Sequence, residues 1–478
     1  MTVTVDLRAV LPEIIVASAA MAVLLWDVLV GHRGQRALAP LTILGLVAAS
    51  AALVRVGIRP PAFGGMYVRD AATQVLQMIA LLAAVLATVL SLDYLRRFGL
   101  ERGEYYALML SACLGAMVMA ASADLIVLFL GLETLSIPLY VLAAFRRGNV
   151  RSQEAGMKYF LLGSFSTAFF LYGVALLYGA SGSTGLAALG RAAAAGLTPL
   201  LGIGIALLTI GLAFKAALVP FHAWAPDVYE GAPLPVTAYM AVIAKVGAFA
   251  AVLRAFPLGL GALAEQWTVL LAALSIATMI LGNLVALMQR SMKRLLAYSS
   301  IAHAGYLLIG MAAGTPDGAW AMTFYLVVYL FMTLGAFAVV LLLEQAGEEV
   351  DLIEDYVGLG ARAPWLAAAM AVFMISLAGL PPTAGFIGKF YLFNAALGAG
   401  QPAVALVAAL TTVVSVYYYL RVPYLMFTGK DQVGVRVLPA PGVRFAIITA
   451  AVVVILLGVL PGPLTDAVQP LAALLRGK

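Results

Sequence analysis

Apolar stretches long enough to cross a lipid bilayer follow one another along the whole chain, separated by short polar connections. A spanning helix needs about 20 mostly apolar residues. Runs of that kind occur near 10–30, 38–57, 70–92, 104–121, 123–145, 154–180 and 198–219. They continue near 234–256, 266–288, 295–313, 319–343, 365–397, 402–427 and 442–464. The pattern predicts an all-α integral membrane protein of about fourteen transmembrane helices, each built on a run of that length. No strand pattern suited to a membrane barrel is present. The first run reads as a retained span, because no small-residue cleavage site closes it.

Two spans are interrupted. As one helix, 365–397 would be about 50 Å long at 1.5 Å per residue, well beyond a ~30 Å hydrocarbon core. Its middle reads Gly379-Leu-Pro-Pro-Thr-Ala-Gly385, and Pro381 and Pro382 remove backbone donors and break the helix. After 198–219, Pro220, Pro226, Pro233 and Pro235 fall close together. Irregular backbone at membrane depth is tolerated only where protein or a watery cavity covers it. Interruptions at corresponding places in two halves are the pattern of an inverted-repeat transporter. The expected organisation is an N-terminal three-helix region (1–103), then two inverted five-helix repeats, 104–256 (spans 4–8) and 257–430 (spans 9–13). The last region, 431–478, holds span 14, and the broken spans 7 and 12 are counterparts.

Composition agrees with lipid as the solvent: 64% of the 478 residues are hydrophobic, only 10% are charged, and mean hydropathy is +1.04. A soluble domain is about one quarter charged. The single cysteine, Cys113, excludes an intrachain disulfide and any multi-thiolate or iron–sulfur site. His32, His222 and His303 are far apart and form no metal-ligand spacing. A pI of 9.3 could point to nucleic acid, but the basic residues sit in short connections, where they set membrane topology. Connections after odd-numbered spans carry roughly twice the Lys and Arg of the termini and other connections. They include Arg96, Arg97, Arg146, Arg147, Arg151, Arg290, Lys293 and Arg294. The positive-inside rule puts that side in the cytoplasm and both termini outside. The acidic 344–362 connection is the exception, and acids count little in that rule.

Four ionisable residues lie deep in apolar segments: Glu133, Lys215, Lys245 and Lys389. Each costs about 2.5–3.5 kcal/mol at a helix centre, so the set costs on the order of 10 kcal/mol. A structural ion pair with one lysine snorkelling to the headgroups explains some of them, Lys215 being the candidate to snorkel. It does not explain the set, because one acid cannot neutralise three lysines. A proton relay does. A carboxylate about 4 Å from a lysine favours the charged amine by about 4 kcal/mol at an effective dielectric near 20. Moving one charge against 100 mV costs about 2.3 kcal/mol, so switch and load are of similar size. His303, mid-span in Tyr298-Ser-Ser-Ile-Ala-His303-Ala-Gly-Tyr, is either a packing residue or a relay group, and its correspondence to Glu133 under the repeat favours the relay. His222 stands beside the break after span 7. Gly259-Leu-Gly261 and Gly358-Leu-Gly360 follow no strand and are not dinucleotide fingerprints.

The segment Pro220-Phe-His-Ala-Trp-Ala-Pro-Asp-Val-Tyr-Glu-Gly-Ala-Pro-Leu-Pro-Val-Thr-Ala238 follows Gly211-Leu-Ala-Phe-Lys215 and leads to Lys245. With it, and with Leu380-Pro-Pro-Thr-Ala-Gly-Phe-Ile-Gly-Lys389-Phe, the chain resembles the antiporter-like membrane subunits of respiratory complex I, in their N branch. The sister L and M branches carry a different acidic and histidine pattern in the first motif. The L branch also ends in a long lateral helix, from which this chain departs with about fourteen residues after its last span. Leu234 stands where the family usually has threonine. The resemblance covers nearly the whole chain. It implies that Glu133 pairs with Lys215, that Lys245 is the central relay lysine, and that Lys389 hands protons towards the outer half-channel. It implies no cofactor bound by this chain, with NADH, flavin (FMN), iron–sulfur clusters and quinone handled by other subunits. Expected neighbours are subunits M and K, with J, L, A and H in the same arm of a bacterial inner membrane. Two other readings predict the same buried lysines: an Mrp-type cation/proton antiporter and the membrane module of an energy-converting hydrogenase. A purely structural anchor is the third alternative.

Overall fold

The computed structural model describes residues 6–345, 347–428 and 435–472. Its first helices are α1 (Leu11–Val30), α2 (Leu38–Val56), α3 (Ala71–Arg97), α4 (Gly103–Ala121), α5 (Leu125–Ala143) and α6 (Val150–Ser181). A short α7 (Leu186–Ala194) precedes α8 (Pro199–Ala216), α9 (Trp224–Gly231), α10 (Leu234–Leu253), α11 (Ala264–Ala286), α12 (Met292–Ala312) and α13 (Pro316–Leu341). A single turn, α14 (Leu359–Arg362), leads to α15 (Pro364–Ala378), α16 (Ala384–Gly398), α17 (Pro402–Phe427), α18 (Pro441–Val459) and α19 (Gly462–Val468). Thirteen of these are long and apolar enough to cross a membrane. The pair α15 and α16, at 15 residues each, is too short to cross singly; end to end they make the expected broken span. The surface helix α7 was not foreseen from the apolar pattern.

Polar side chains start the helices. Asp124 caps α5 by accepting from Ile126 N and Val127 N, Asn149 caps α6 through Ser152 N, and Ser291 caps α12 through Arg294 N. Close helix pairs rest on small residues: a Cβ on Gly115 of α4 would run into the Leu135 backbone of α5.

The two breaks differ in chemistry but share a plan. Helix α8 ends at Ala217 in the left-handed region (φ 58°), just before Pro220. Helix α15 ends at Gly379 (φ 79°), before Pro381 and Pro382. Protein covers both. Val219 N donates to Thr278 Oγ1 of α11 at 3.0 Å, and Gly458 of α18 lies against the backbone of Pro382 and Thr383.

Every residue of α10 is buried, and α12 and α13 are nearly so, whereas α1 and α2 lie at the edge. Lys245 therefore sits on the most enclosed helix. A hairpin of β1 (Arg59–Ala62) and β2 (Tyr67–Arg69) lies at one end of the bundle; at the other, the acidic connection after α13 forms β3 (Leu343–Gln345) and β4 (Glu348–Glu349), and β5 (Val435–Val437), from the connection after α17, joins β3 in a small antiparallel sheet. That acidic connection explains its own charge. It pairs with basic residues of the neighbouring connections: Arg97 with Glu344, Arg146 with Glu348, and Lys293 with Glu349. The connections after spans 3, 5, 9 and 11 thus meet on one face.

Candidate functional site

The four charges within the spans fall into two groups; Lys215, Lys245 and Lys389 are buried, whereas Glu133 is partly exposed. On α5, Glu133 accepts from Thr167 Oγ1 of α6 at 2.7 Å. One turn further along α5, Ser136 accepts from Lys215 Nζ at 2.9 Å, and Lys215 also donates to Tyr159 OH at 3.2 Å. Its ammonium lies 5.3 Å from the Tyr159 ring centre and 5.8 Å from that of Tyr140. Tyr159 is in turn stacked on Trp224 of α9, at 4.3 Å and 7° between planes. Lys215 is 3% exposed, so it does not snorkel. No direct ion pair joins Glu133 to Lys215 among the described residues; each is held by hydroxyls one helical turn apart.

The second group lies along α10, α12, α13 and the second break. Lys245 Nζ sits 5.8 Å from the Tyr329 ring centre and has no hydrogen-bonding partner among the described residues. Tyr329 OH lies 2.8 Å from Ser300 Oγ and 3.2 Å from Ala241 O of α10, so it can donate to the carbonyl while accepting from the serine. Ser300 also meets Tyr229 OH of α9 at 3.3 Å. One turn from Ser300, the His303 ring is fully buried and packs 5.6 Å from Tyr329 and 5.8 Å from Tyr306. His303 Nδ1 bonds Tyr325 OH at 2.6 Å and Nε2 bonds Tyr419 OH at 3.0 Å; Tyr419 continues to Ser299. Both ring nitrogens are thus partnered by hydroxyls that can donate or accept, so either tautomer fits.

Beyond Tyr306 comes Lys389, its Nζ 4.5 Å from the Tyr306 ring centre. It donates to Leu377 O and Ala378 O, both at 3.1 Å. These are carbonyls of the last turn of α15, left open by the break. The lysine of the second half-helix therefore closes the negative end of the first. Lys245, Tyr329, His303, Tyr306 and Lys389 are successive neighbours in the buried middle of the bundle, joined by ring contacts of 4.5–5.8 Å, while their hydrogen bonds run to the flanking hydroxyls and carbonyls.

His222 stands apart. It lies half-buried in the bend between α8 and α9, and its Nδ1 has no partner among the described residues. The charges were legible in the sequence, but the hydroxyls between them were not: Ser136, Tyr159, Ser299, Ser300, Tyr306, Tyr325, Tyr329 and Tyr419. A trace existed in the four-residue spacing of Ser299 with His303 and of Tyr325 with Tyr329, which sets each pair on one helix face.

Residues 122–415 match the family described as NADH:quinone oxidoreductase/Mrp antiporter, transmembrane. The NADH-quinone oxidoreductase subunit N of Trichlorobacter lovleyi is 45% identical, over 98% of this chain and 97% of its own. A chain of respiratory complex I from Thermus thermophilus is 40% identical with a TM-score of 0.81, covering 95% of this chain and 98% of that one. A chain of the Mrp complex from Dietzia sp. has a TM-score of 0.86 at 23% identity, covering 99% of this chain and 98% of its own. That second likeness shows the fold alone. Backbone shape is common to complex I and Mrp subunits, so sequence has to separate them, and it is shared at 40% or more, nearly end to end, with the subunit N proteins. The chain belongs to the NADH-quinone oxidoreductase subunit N family.

Proposed function

We propose that this membrane-arm subunit moves protons along the buried series Lys245, Tyr329, His303, Tyr306 and Lys389, with Glu133 and Lys215 as its switch. The observation that supports this most is the continuity of that series between two lysines that carry no carboxylate partner. A relay group must both take and give a proton, and each member can: amines, an imidazole and hydroxyls alternate along the path. Glu133 and Lys215 are held apart by Thr167 and Ser136. Bringing them into contact would favour the charged lysine by about 4 kcal/mol, enough to drive one charge against roughly 100 mV. Lys389 faces the open carbonyls of α15, a place where a cation is held until a change at the break releases it. His222, whose Nδ1 is left open at the first break, is the group placed to pass protons at that point.

In this reading the chain has no redox chemistry of its own, and NADH, FMN, iron–sulfur clusters and quinone belong to other subunits. Subunits M and K are its direct neighbours, with J, L, A and H in the same arm. The functional halves are 104–256 and 257–430, preceded by the three-helix region 1–103 and followed by 431–478. Corresponding breaks, each followed by a lysine-bearing or lysine-facing helix, support that division. The arginine-rich face lies in the cytoplasm of a bacterial inner membrane, and both termini lie outside.

The test is Lys245→Ala in the complete complex, reconstituted in sealed vesicles. The expected result is assembled complex in which NADH-driven proton uptake per electron falls. Unchanged proton uptake per electron would remove Lys245 from the path.

A further inference from the structure

The N-terminal three-helix region holds a buried acid that the lysine series does not use. Glu13, in the first turn of α1, is 6% exposed. Its Oε1 accepts from Tyr67 OH of β2 and from Gln77 Nε2 of α3, both at 2.5 Å. Gln77, fully buried, also donates through Nε2 to Met117 O of α4 at 3.0 Å. These two acceptors set the amide's orientation, because a flipped amide would face oxygen to oxygen at both contacts. Two acceptor atoms then remain: Glu13 Oε2 and Gln77 Oε1 are buried and have no partner among the described residues. Buried polar atoms are nearly always partnered, and a charged oxygen least of all is left bare.

The charged and titratable groups facing Glu13 are few. Arg69 of β2, also buried, meets Tyr67 OH at 3.4 Å but gives its stronger bonds to the carbonyls of Ala9 at 2.8 Å and Gly57 at 2.9 Å. Cys113 of α4 and the Tyr67 phenol complete the set.

We propose that Glu13 is a proton-binding site separate from the lysine series, carrying a proton on Oε2 in the resting protein. That one hydrogen satisfies both bare atoms. It neutralises the carboxyl, makes Oε2 a donor, and finds its acceptor in the amide oxygen of Gln77, whose nitrogen already holds Oε1. Loss of the proton leaves a carboxylate attracted to Arg69 across the Tyr67 hydroxyl, so the ionised form has a counter-charge waiting. The inference stands independently of the relay.

Glu13→Gln in the complete complex tests it, because a neutral amide replaces a neutral acid. The expected result is an unchanged thermal midpoint and loss of one protonated-carboxyl C=O band from the infrared spectrum. A lowered midpoint with no band lost would mean that Glu13 is ionised against Arg69, and would overturn the proposal. Gln77→Met provides the check that keeps Glu13 in place. The same band should move to higher frequency as the acid loses its acceptor, and an unshifted spectrum would equally overturn the site.

Discussion

At Lys389 a role in the fold coincides with the proposed role in transport. Its three amine donors face two carbonyls that the break in the helix leaves without intrahelical partners. Lys389→Met should leave those carbonyls bare, at about 1–3 kcal/mol for each buried unsatisfied group, and should stop proton transfer as well. Lys389→Arg separates the two roles. Arginine keeps the charge and the donors but does not give up its proton, so thermal stability of the complex should largely survive while proton uptake per electron falls. Pumping that survives in the arginine variant would make Lys389 a structural cap only. Tyr329→Phe asks the same question of a hydroxyl. Interhelical hydrogen bonds in membranes average about 0.6 kcal/mol, so assembly should be nearly unaffected. The contact of Tyr329 with Ser300 is lost, however, and vesicle proton uptake should drop.

At the scale of elements, the two half-helices α15 and α16 are held together by glycine at one point. A Cβ on Gly385 would collide with the Ser376 carbonyl, which is backbone and cannot step aside. Gly385 N also donates to Ser376 Oγ at 3.1 Å. Gly385→Ala should therefore displace the start of α16 and with it Lys389, at a cost of about 1–3 kcal/mol for overpacking. The matched control is Gly148→Ala, where nothing lies within 4 Å of the added carbon. Membrane extraction followed by a thermal melt of the complex should lower the midpoint for the first variant and leave it in place for the second.

At the scale of the whole molecule, the arginine-rich face is tied together by the acidic connection after α13. Burial alone would raise the Glu349 carboxyl, but the Lys293 ammonium, the Tyr94 hydroxyl and Arg146 outweigh it and hold it below its ordinary value of 4.5. A carboxyl depressed in the folded state adds stability above its unfolded value, and that stability is lost as pH falls through the folded value. The thermal midpoint should thus decline on acidification below about 4.5, and Glu349→Gln should flatten that part of the profile. An identical acid limb in the variant would show that this cluster does not hold the face together. At the other end, Arg254 of the turn after α10 reaches Asp70 through two nitrogens, at 2.6 and 2.7 Å, and fastens the lysine-bearing helix to the N-terminal region. One charge cluster thus ties the connections of one face together, and the other fastens α10 at the opposite end.

Much of this was legible in residue order alone. Apolar runs of spanning length can only be helices in lipid, since no other open structure satisfies its own backbone there, so class and most spans follow from length and hydropathy. Glu133, Lys215, Lys245, Lys389 and His303 stand out because a charge or imidazole in such a run is costly wherever the helix packs. The prolines marked both breaks for the same local reason, the missing donor. What residue order could not decide is which side chains meet. Ser and Tyr cost little in a helix and leave no signature, so the hydroxyls that space the lysines emerge only when α10, α12 and α13 come together. The separation of Glu133 from Lys215, the capping of α15 by Lys389, and the two bare oxygens of Glu13 and Gln77 are likewise tertiary facts. They depend on how helices distant in sequence are set against one another, and no local pattern encodes that.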